Sequence, residues 1–209
     1  MENLQSLNPN RSRKALTVLK AVIVIFLLPW IYSFTLAFFN ESKLIKEGLF
    51  NQFNRGVITF LVLHLFIYAP GKIYQKGQKI TEATFHFISP LVKFAPFVLP
   101  IYTIILVLLY CLIFRFINSP LSLHIFMFFI GFSFMLHLTF TARTLHSRKD
   151  DFLMVNYLFS FGIIYIINVS LLALGMSAVF RSFSWLNFCR ISFQISKGIF
   201  ISIFSQLFL

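Results

Sequence analysis

The residues able to carry acid–base chemistry are few and lie away from the apolar runs of the chain. The 209 residues include six carboxylates. Each of these falls in a tail or between two apolar runs: Glu2, Glu41, Glu47, Glu82, Asp150 and Asp151. Proton-coupled carriers and intramembrane aspartyl proteases need a buried Asp or Glu, so this distribution argues against both classes.

The histidines and cysteines do not form a metal-binding pattern. A zinc pair on one helix needs ligands one turn apart, whereas His124 and His137 would lie about 20 Å apart along a helix axis. Two cysteines are too few for a zinc site or a disulfide framework. His64 lies in the middle of the run TFLVLHLFIYAP. We interpret it as a neutral imidazole hydrogen-bonded to a neighbouring helix, with a ligand-binding or pH-sensing role as the alternative. No metal or cofactor is predicted.

One short motif suggests serine chemistry. Gly131-Phe132-Ser133-Phe134 has the G-x-S-x form, and His137 follows Ser133 by one helical turn. The motif resembles the nucleophile segment of rhomboid-type intramembrane proteases over these four residues. Rhomboids take their base from a later helix, and the next apolar run here contains no His. We therefore expect Ser133 to hydrogen-bond to a carbonyl of its own helix.

Two polar segments face the same side of the predicted membrane. The segment GKIYQKGQKITEATFHFISPLVKF carries basic residues among aromatic ones: Lys72, Lys76, Lys79 and Lys93. Such residues beside a bilayer bind anionic headgroups at about 1 kcal/mol per charge, and no nucleic-acid recognition motif is present. Asp150 and Asp151 predict an N-cap for the following helix, or alternatively part of a metal-diphosphate site.

The composition places the chain in a membrane. In this sequence 58% of the residues are apolar, 19% are aromatic and 11% are charged. An average soluble domain has roughly 25% charged residues. The net charge of +12 is spread over short clusters between apolar stretches, as in polytopic membrane proteins. The sequence therefore excludes a soluble globular fold and a disordered chain.

Hydrophobic runs of spanning length predict the helices. These runs predict an all-α integral membrane protein. Its fold is a polytopic bundle of about five transmembrane helices, with a sixth possible. We expect Pro29 to kink the first span, and we expect Pro96 and Pro100 in the first turns of the third. The predicted spans are 15–39, about 49–70, 94–117, 121–142 and 152–180.

The remaining segments complete the predicted domain organisation. Residues 1–14 form a basic cytoplasmic tail, residues 15–180 the five-span domain, and residues 181–209 an interfacial segment or a sixth span. A sixth span would bury Lys197 near its centre at a cost of about 2.5–3.5 kcal/mol, so the interfacial segment is preferred. The basic segments favour a cytoplasmic N-terminus, and the expected location is a bacterial inner membrane.

The fifth span carries the densest set of polar and small residues. One of its faces is lined by Tyr157, Phe161, Ile164, Asn168, Leu171 and Gly175. Small and amide side chains let helices approach closely and hydrogen-bond to one another. This face could pack inside the monomer, against a second copy, or along a pore, and His64 could join it.

These features favour a non-catalytic multi-pass membrane protein. We expect an accessory or assembly subunit that acts through a partner membrane protein or through anionic lipid headgroups. One alternative is a homo-oligomeric channel lined by the fifth span. A second is a lipid-modifying or lipid-translocating enzyme that uses the lysine-rich segment with the two adjacent aspartates.

Overall fold

The computed structural model describes residues 9–66, 71–86, 95–112, 120–146 and 153–208. Within these ranges the chain is all-helical and contains no strand. The helices are α1 Pro9–Ser42, α2 Glu47–Phe66, α3 Gly71–Thr84, α4 Ile101–Leu112, α5 Pro120–His146, α6 Leu153–Val179 and α7 Trp185–Phe208. The predicted all-α fold is therefore confirmed for the described residues.

Several of these helices have the length and composition of membrane spans. Three stretches are long and apolar enough to cross a bilayer: Val18–Ser42, Leu121–His146 and Tyr157–Val179. Helices α2 and α3 pass the same test only as a pair, with their axes bent by 119°. Helix α4 is apolar but has only 12 residues. The helical membrane class predicted from composition is thus supported by the fold.

Helices α2 and α5 lie side by side and run in the same direction. Phe53 lies beside Gly131, and His64 near the end of α2 contacts Phe140 farther along α5. The backbones approach most closely at two glycines. A Cβ atom at Gly56 would collide with the Phe128 carbonyl, and one at Gly131 would collide with the Phe53 carbonyl. Glycine is required at both positions because a larger residue would push the two helices apart.

Helix α1 packs against both α6 and α7. The hydroxyls of Thr35 and Tyr165 share a hydrogen bond of 2.8 Å, and Gly162 lies against Ile31. These pairs make α1 and α6 parallel. Aromatic pairs then join α1 to α7 in the opposite sense, since Phe26 stacks on Phe200 at 5.9 Å, Trp30 meets Phe193 at 6.4 Å and Phe34 meets Phe188 at 5.5 Å. Helix α7 therefore runs antiparallel along the middle of α1.

Helix α4 packs between the pair α2 and α5 and the group formed by α1, α6 and α7. Thr103 and Tyr110 of α4 meet Ser133 and Phe126 of α5, so α4 and α5 are antiparallel. Val107 of α4 packs on Gly175 of α6, and Val98, just before α4, contacts Asn168 of α6. Because later residues of one segment meet later residues of the other, α4 and α6 are parallel. Helices α1, α2, α4, α5, α6 and α7 thus alternate in direction along the chain. Helix α3 lies at the end of the bundle where α5 ends.

Several helix boundaries differ from the ends of the spans predicted from the sequence. Helix α1 begins at Pro9, within the predicted tail, and continues through Pro29. The segment predicted as a cytoplasmic loop contains helix α3. The third span is not one helix from its start, because a helical turn at residues 95–98 is separated from α4 by Leu99 and Pro100. The segment from 181 onward is mostly a single helix, α7.

Three of the acids lie in helices, whereas the sequence analysis assigned all six to tails or loops. Glu41 belongs to the last turn of α1, Glu47 to the first turn of α2, and Glu82 to α3. Glu41 is 1% exposed, and its carboxylate accepts hydrogen bonds from the Ser184 backbone N–H at 3.2 Å and from the Asn187 side chain. A carboxylate at a helix N-terminus is favourable, so Glu41 fixes the start of α7 to the end of α1.

Candidate functional site

Three of the four predicted lipid-binding lysines share one face of α3. Lys72, Lys76 and Lys79 are spaced so that successive side chains lie on the same side of a helix, and all three are exposed. The opposite face of α3 is formed by Tyr74, Gly77 and Thr81, which are all buried. The lysines therefore point away from the bundle. The fourth, Lys93, lies outside the described residues.

Helix α3 is fixed to the bundle by hydrogen bonds from its buried face. The Tyr74 hydroxyl shares a hydrogen bond of 3.1 Å with Thr141 of α5. The Tyr102 hydroxyl of α4 donates to the Ile73 carbonyl at 2.6 Å. The ring of Tyr102 also lies against Gly77, where a Cβ atom would come within 2.7 Å of it. These contacts hold the lysine face in one orientation relative to α4 and α5.

Exposed apolar residues flank the lysines of α3. Ile73 is 49% exposed and Ile80 is 43% exposed, and both lie on the same side of the lysine face. A helix that presents lysines beside exposed aliphatic side chains has the pattern of a membrane-interface helix. Glu82 is also exposed, on the other flank of that face.

His64 lies among aromatic rings near the end of α2. Its imidazole stacks on Phe60 at 5.8 Å and meets the edge of Phe140 at 5.5 Å. Its Nδ1 atom is buried and has no hydrogen-bond partner among the described residues. From the sequence we expect a hydrogen bond between His64 and a neighbouring helix; the contacts of the imidazole within the described ranges are aromatic.

The three predicted residues of α6 lie at different contacts along that helix. Tyr157 stacks on Phe161 at 5.8 Å and meets His146 at the end of α5. Gly175 lies against Val107 of α4, where an added Cβ atom would come within 3.0 Å. Asn168 is completely buried. The structure therefore does not bring Tyr157, Asn168 and Gly175 together with His64 in one cluster.

Asn168 and His137 bind carbonyl groups at the break before α4. Pro100 has no N–H, and the Ile101 N–H donates to Leu99 at 2.9 Å rather than to Phe97. The Phe97 carbonyl instead accepts a hydrogen bond of 3.1 Å from His137 Nε2. The Val98 carbonyl accepts one of 3.1 Å from Asn168 Nδ2. Side chains of α5 and α6 thus bind carbonyl groups at the helix break, which is how non-helical backbone within a membrane bundle is stabilised.

This capped break, formed by Phe97, Val98, His137 and Asn168, was missed in the sequence analysis. The signal in the sequence was the pair Pro96 and Pro100, combined with one polar residue in the middle of each of two later apolar runs. The Oδ1 atom of Asn168 is buried and has no partner among the described residues. The site therefore retains one unused acceptor.

The structure separates the groups of the suggested serine site. The Ser133 hydroxyl donates to the Ile130 carbonyl of its own helix at 3.2 Å, as expected, and shares a hydrogen bond with Thr103. His137 Nε2 contacts the Phe97 carbonyl and the Thr141 hydroxyl, and the described residues show no Ser133–His137 hydrogen bond. The arrangement serves helix packing and does not activate a nucleophile.

A cavity of about 560 Å³ lies between α1, α2, α5 and α6. Its walls are mostly apolar and include Phe38, Val57 and Leu172. The hydroxyls of Thr35 and Tyr165 in its wall bind each other. No acid, base or histidine lines the cavity among the residues described, so its chemistry suits hydrocarbon rather than a reacting group.

No group of three His, Cys, Asp or Glu side chains is close enough to hold a metal ion within the described ranges. Asp150 and Asp151, the proposed diphosphate-site pair, lie outside those ranges. Comparison of the chain with protein families, with curated proteins and with solved structures found no match.

Proposed function

We propose that the chain is a non-catalytic accessory or assembly subunit of a bacterial inner membrane, which crosses the bilayer six times and binds anionic lipid headgroups through α3. The observation that carries the lipid part is the lysine face of α3, formed by Lys72, Lys76 and Lys79 opposite its buried face. The apolar lining of the large cavity, to which no acid or base of the described ranges contributes, supports the non-catalytic part.

The alternating helix directions support six crossings. Helices α1, α2, α4, α5, α6 and α7 each run opposite to the one before, while α3 lies at one end of the bundle. In this arrangement the break at Pro100 lies inside the bundle, where His137 and Asn168 satisfy its carbonyl groups. The short helix α4 then crosses together with the turn at residues 95–98.

The distribution of basic residues supports an orientation. Lys20 near the start of the candidate span Val18–Ser42, the α3 lysines and Arg143 near the end of α5 lie at the same end of the bundle. Basic residues are enriched on the cytoplasmic side of membrane proteins, so we assign this end to the cytoplasm. The anionic lipids of the inner leaflet then face Lys72, Lys76 and Lys79.

A pore lined by α6 gains no support from the single chain. Asn168 binds the Val98 carbonyl, and Gly175 packs on Val107 of α4. Both residues are used in contacts between helices of one chain.

Lipid retention tests the proposal. Protein extracted from vesicles of phosphatidylcholine and phosphatidylglycerol is analysed by native mass spectrometry with its lipids retained. We expect the wild type to keep phosphatidylglycerol selectively. The triple variant Lys72→Gln, Lys76→Gln, Lys79→Gln should lose about 3 kcal/mol of headgroup attraction, enough to reduce retention more than tenfold.

The double variant Lys43→Gln, Lys46→Gln is the matched control. Both lysines are exposed in the connection between α1 and α2, at the other end of the bundle. Phosphatidylglycerol retention should be unchanged in this variant. Equal retention by the triple variant and the wild type would refute lipid binding by α3.

A further inference from the structure

The outward face of α7 carries a line of polar side chains. Arg190, Gln194 and Lys197 are all exposed, and their spacing places them on one side of the helix. The opposite side of α7 is buried at Phe188 and Ser192. Arg190 donates to Asn187 Oδ1 at 2.6 Å, next to the bond from Asn187 to Glu41. Lys197 has no carboxylate partner among the described residues.

The aromatic pairs between α1 and α7 set the depth of Lys197. It lies between Phe193, which contacts Trp30, and Phe200, which contacts Phe26. Residues 26–30 occupy the middle of the candidate span Val18–Ser42. With α7 as one of the six proposed crossings, Lys197 lies near mid-membrane depth and faces outward, where an unpaired ammonium group is strongly disfavoured.

Within the part of the chain that the structure describes, no carboxylate lies at that depth. Of the described acids, Glu41 is bound at the start of α7. Glu47 lies in the first turn of α2, and Glu82 lies near the end of α3. A second copy of the chain would bring another lysine at this position and no carboxylate from its described residues to pair with it. Charge complementarity therefore favours a different protein over a second copy.

The shape of this face fits a helix better than a water-filled pore. Phe193 is 59% exposed and Ile201 is 58% exposed, and both flank Lys197 on the outward side. Large apolar side chains would obstruct a lumen but provide packing area for a helix. Gly198 has open space beside it, which permits close approach of another backbone.

We propose that the outward face of α7 docks a transmembrane helix of another protein, and that an Asp or Glu at mid-membrane depth of that helix pairs with Lys197. This inference rests on the proposed accessory function and on α7 being one of the six crossings. The chemistry required of the partner is one intramembrane carboxylate on an otherwise apolar helix.

A pair of probe peptides tests the proposal in vesicles of phosphatidylcholine. Both peptides are leucine–alanine transmembrane helices, with a central Asp in one and a central Asn in the other. Full-length protein carries a fluorophore at Gln206→Cys, with Cys111 and Cys189 replaced by alanine. We expect energy transfer to report binding of the Asp peptide about tenfold tighter than binding of the Asn peptide.

Two variants of Lys197 assign that preference. Lys197→Met should abolish it, and Lys197→Arg should keep it. Equal binding of the two peptides to the wild type, or a preference that persists in Lys197→Met, would overturn the proposal.

A depth measurement separates this inference from the proposed function. A bimane label at Gly198→Cys, where there is space for it, is quenched by lipids brominated at different depths. If mid-chain bromine quenches the label most strongly and the two peptides bind equally, the docking helix is rejected and the sixth crossing is kept. Strongest quenching at headgroup level would reject both the docking helix and the sixth crossing.

Discussion

Asn168 holds two segments of backbone with one amide group. Its Nδ2 atom donates to the Ile164 carbonyl of its own helix at 2.8 Å and to the Val98 carbonyl at 3.1 Å. Asn168→Ala removes the donor and leaves Val98 without this partner in an apolar interior. We expect the free energy of unfolding to fall by about 1–3 kcal/mol. Reversible unfolding by SDS in mixed micelles, followed by circular dichroism, measures this change.

Ser170→Ala is the control for the Asn168 variant. The Ser170 hydroxyl donates to the Ile166 carbonyl of its own helix at 2.8 Å. Since it caps no helix break, its loss should cost less than about 0.6 kcal/mol. Equal stability of Asn168→Ala and the wild type would show that the capped break gains nothing from Asn168.

At this scale the sequence indicated which residues matter but not their partners. The self-bonded Ser133 was predicted because that bond is local. The partners of His137 and Asn168 are backbone carbonyls that become available only because the chain breaks at Pro100. A composition pattern cannot show that break, since prolines in the first turn of a continuous helix give the same pattern.

The contact between α2 and α5 depends on two glycines. An alanine at Gly56 would place its methyl group against the Phe128 carbonyl, and one at Gly131 would meet the Phe53 carbonyl. The backbones must then separate, which disturbs packing along both helices. We expect Gly56→Ala and Gly131→Ala each to lower the free energy of unfolding by about 1–3 kcal/mol in the same SDS titration.

Gly198→Ala provides a matched control for the two glycine variants. It makes the same chemical change at a helical glycine that has no atom within 4 Å of an added Cβ. Alanine favours helix over glycine by about 1 kcal/mol, so this variant should be as stable as the wild type or more stable. If Gly56→Ala behaved like Gly198→Ala, the close approach of α2 and α5 would be wrong.

The elements found from the sequence are those with an uninterrupted apolar run. Helices α1, α5 and α6 cover predicted spans, and α2 begins near the expected position at Leu49. Helix α3 was missed because its lysines, its first residue Gly71 and the preceding Pro70 are typical of a loop. The spacing of Lys72, Lys76 and Lys79 was the available sign of a helix. The buried side of α3 depends on contacts with α4 and α5 that no local pattern encodes.

For the whole molecule, the unresolved choice from sequence was the segment after residue 180. Lys197 favoured an interfacial segment because a lysine inside a span is costly. The antiparallel contacts of α7 with α1 support a crossing instead, and the proposed carboxylate of a partner removes the objection. The choice could not be made from the sequence because it depends on contacts with α1 and, in our proposal, on another protein.

Six crossings predict which positions share a side of the membrane. Gln75 on α3 and Gln206 near the end of α7 should both lie on the cytoplasmic side, and Leu44 between α1 and α2 on the other side. Single cysteines at these positions, in a chain with Cys111 and Cys189 replaced, are labelled with a membrane-impermeant maleimide in right-side-out and inside-out vesicles. We expect 75 and 206 to react only in inside-out vesicles and 44 only in right-side-out vesicles. With five spans and an interfacial α7, the cysteine at 206 would react together with that at 44, and this result would exclude the six-crossing arrangement.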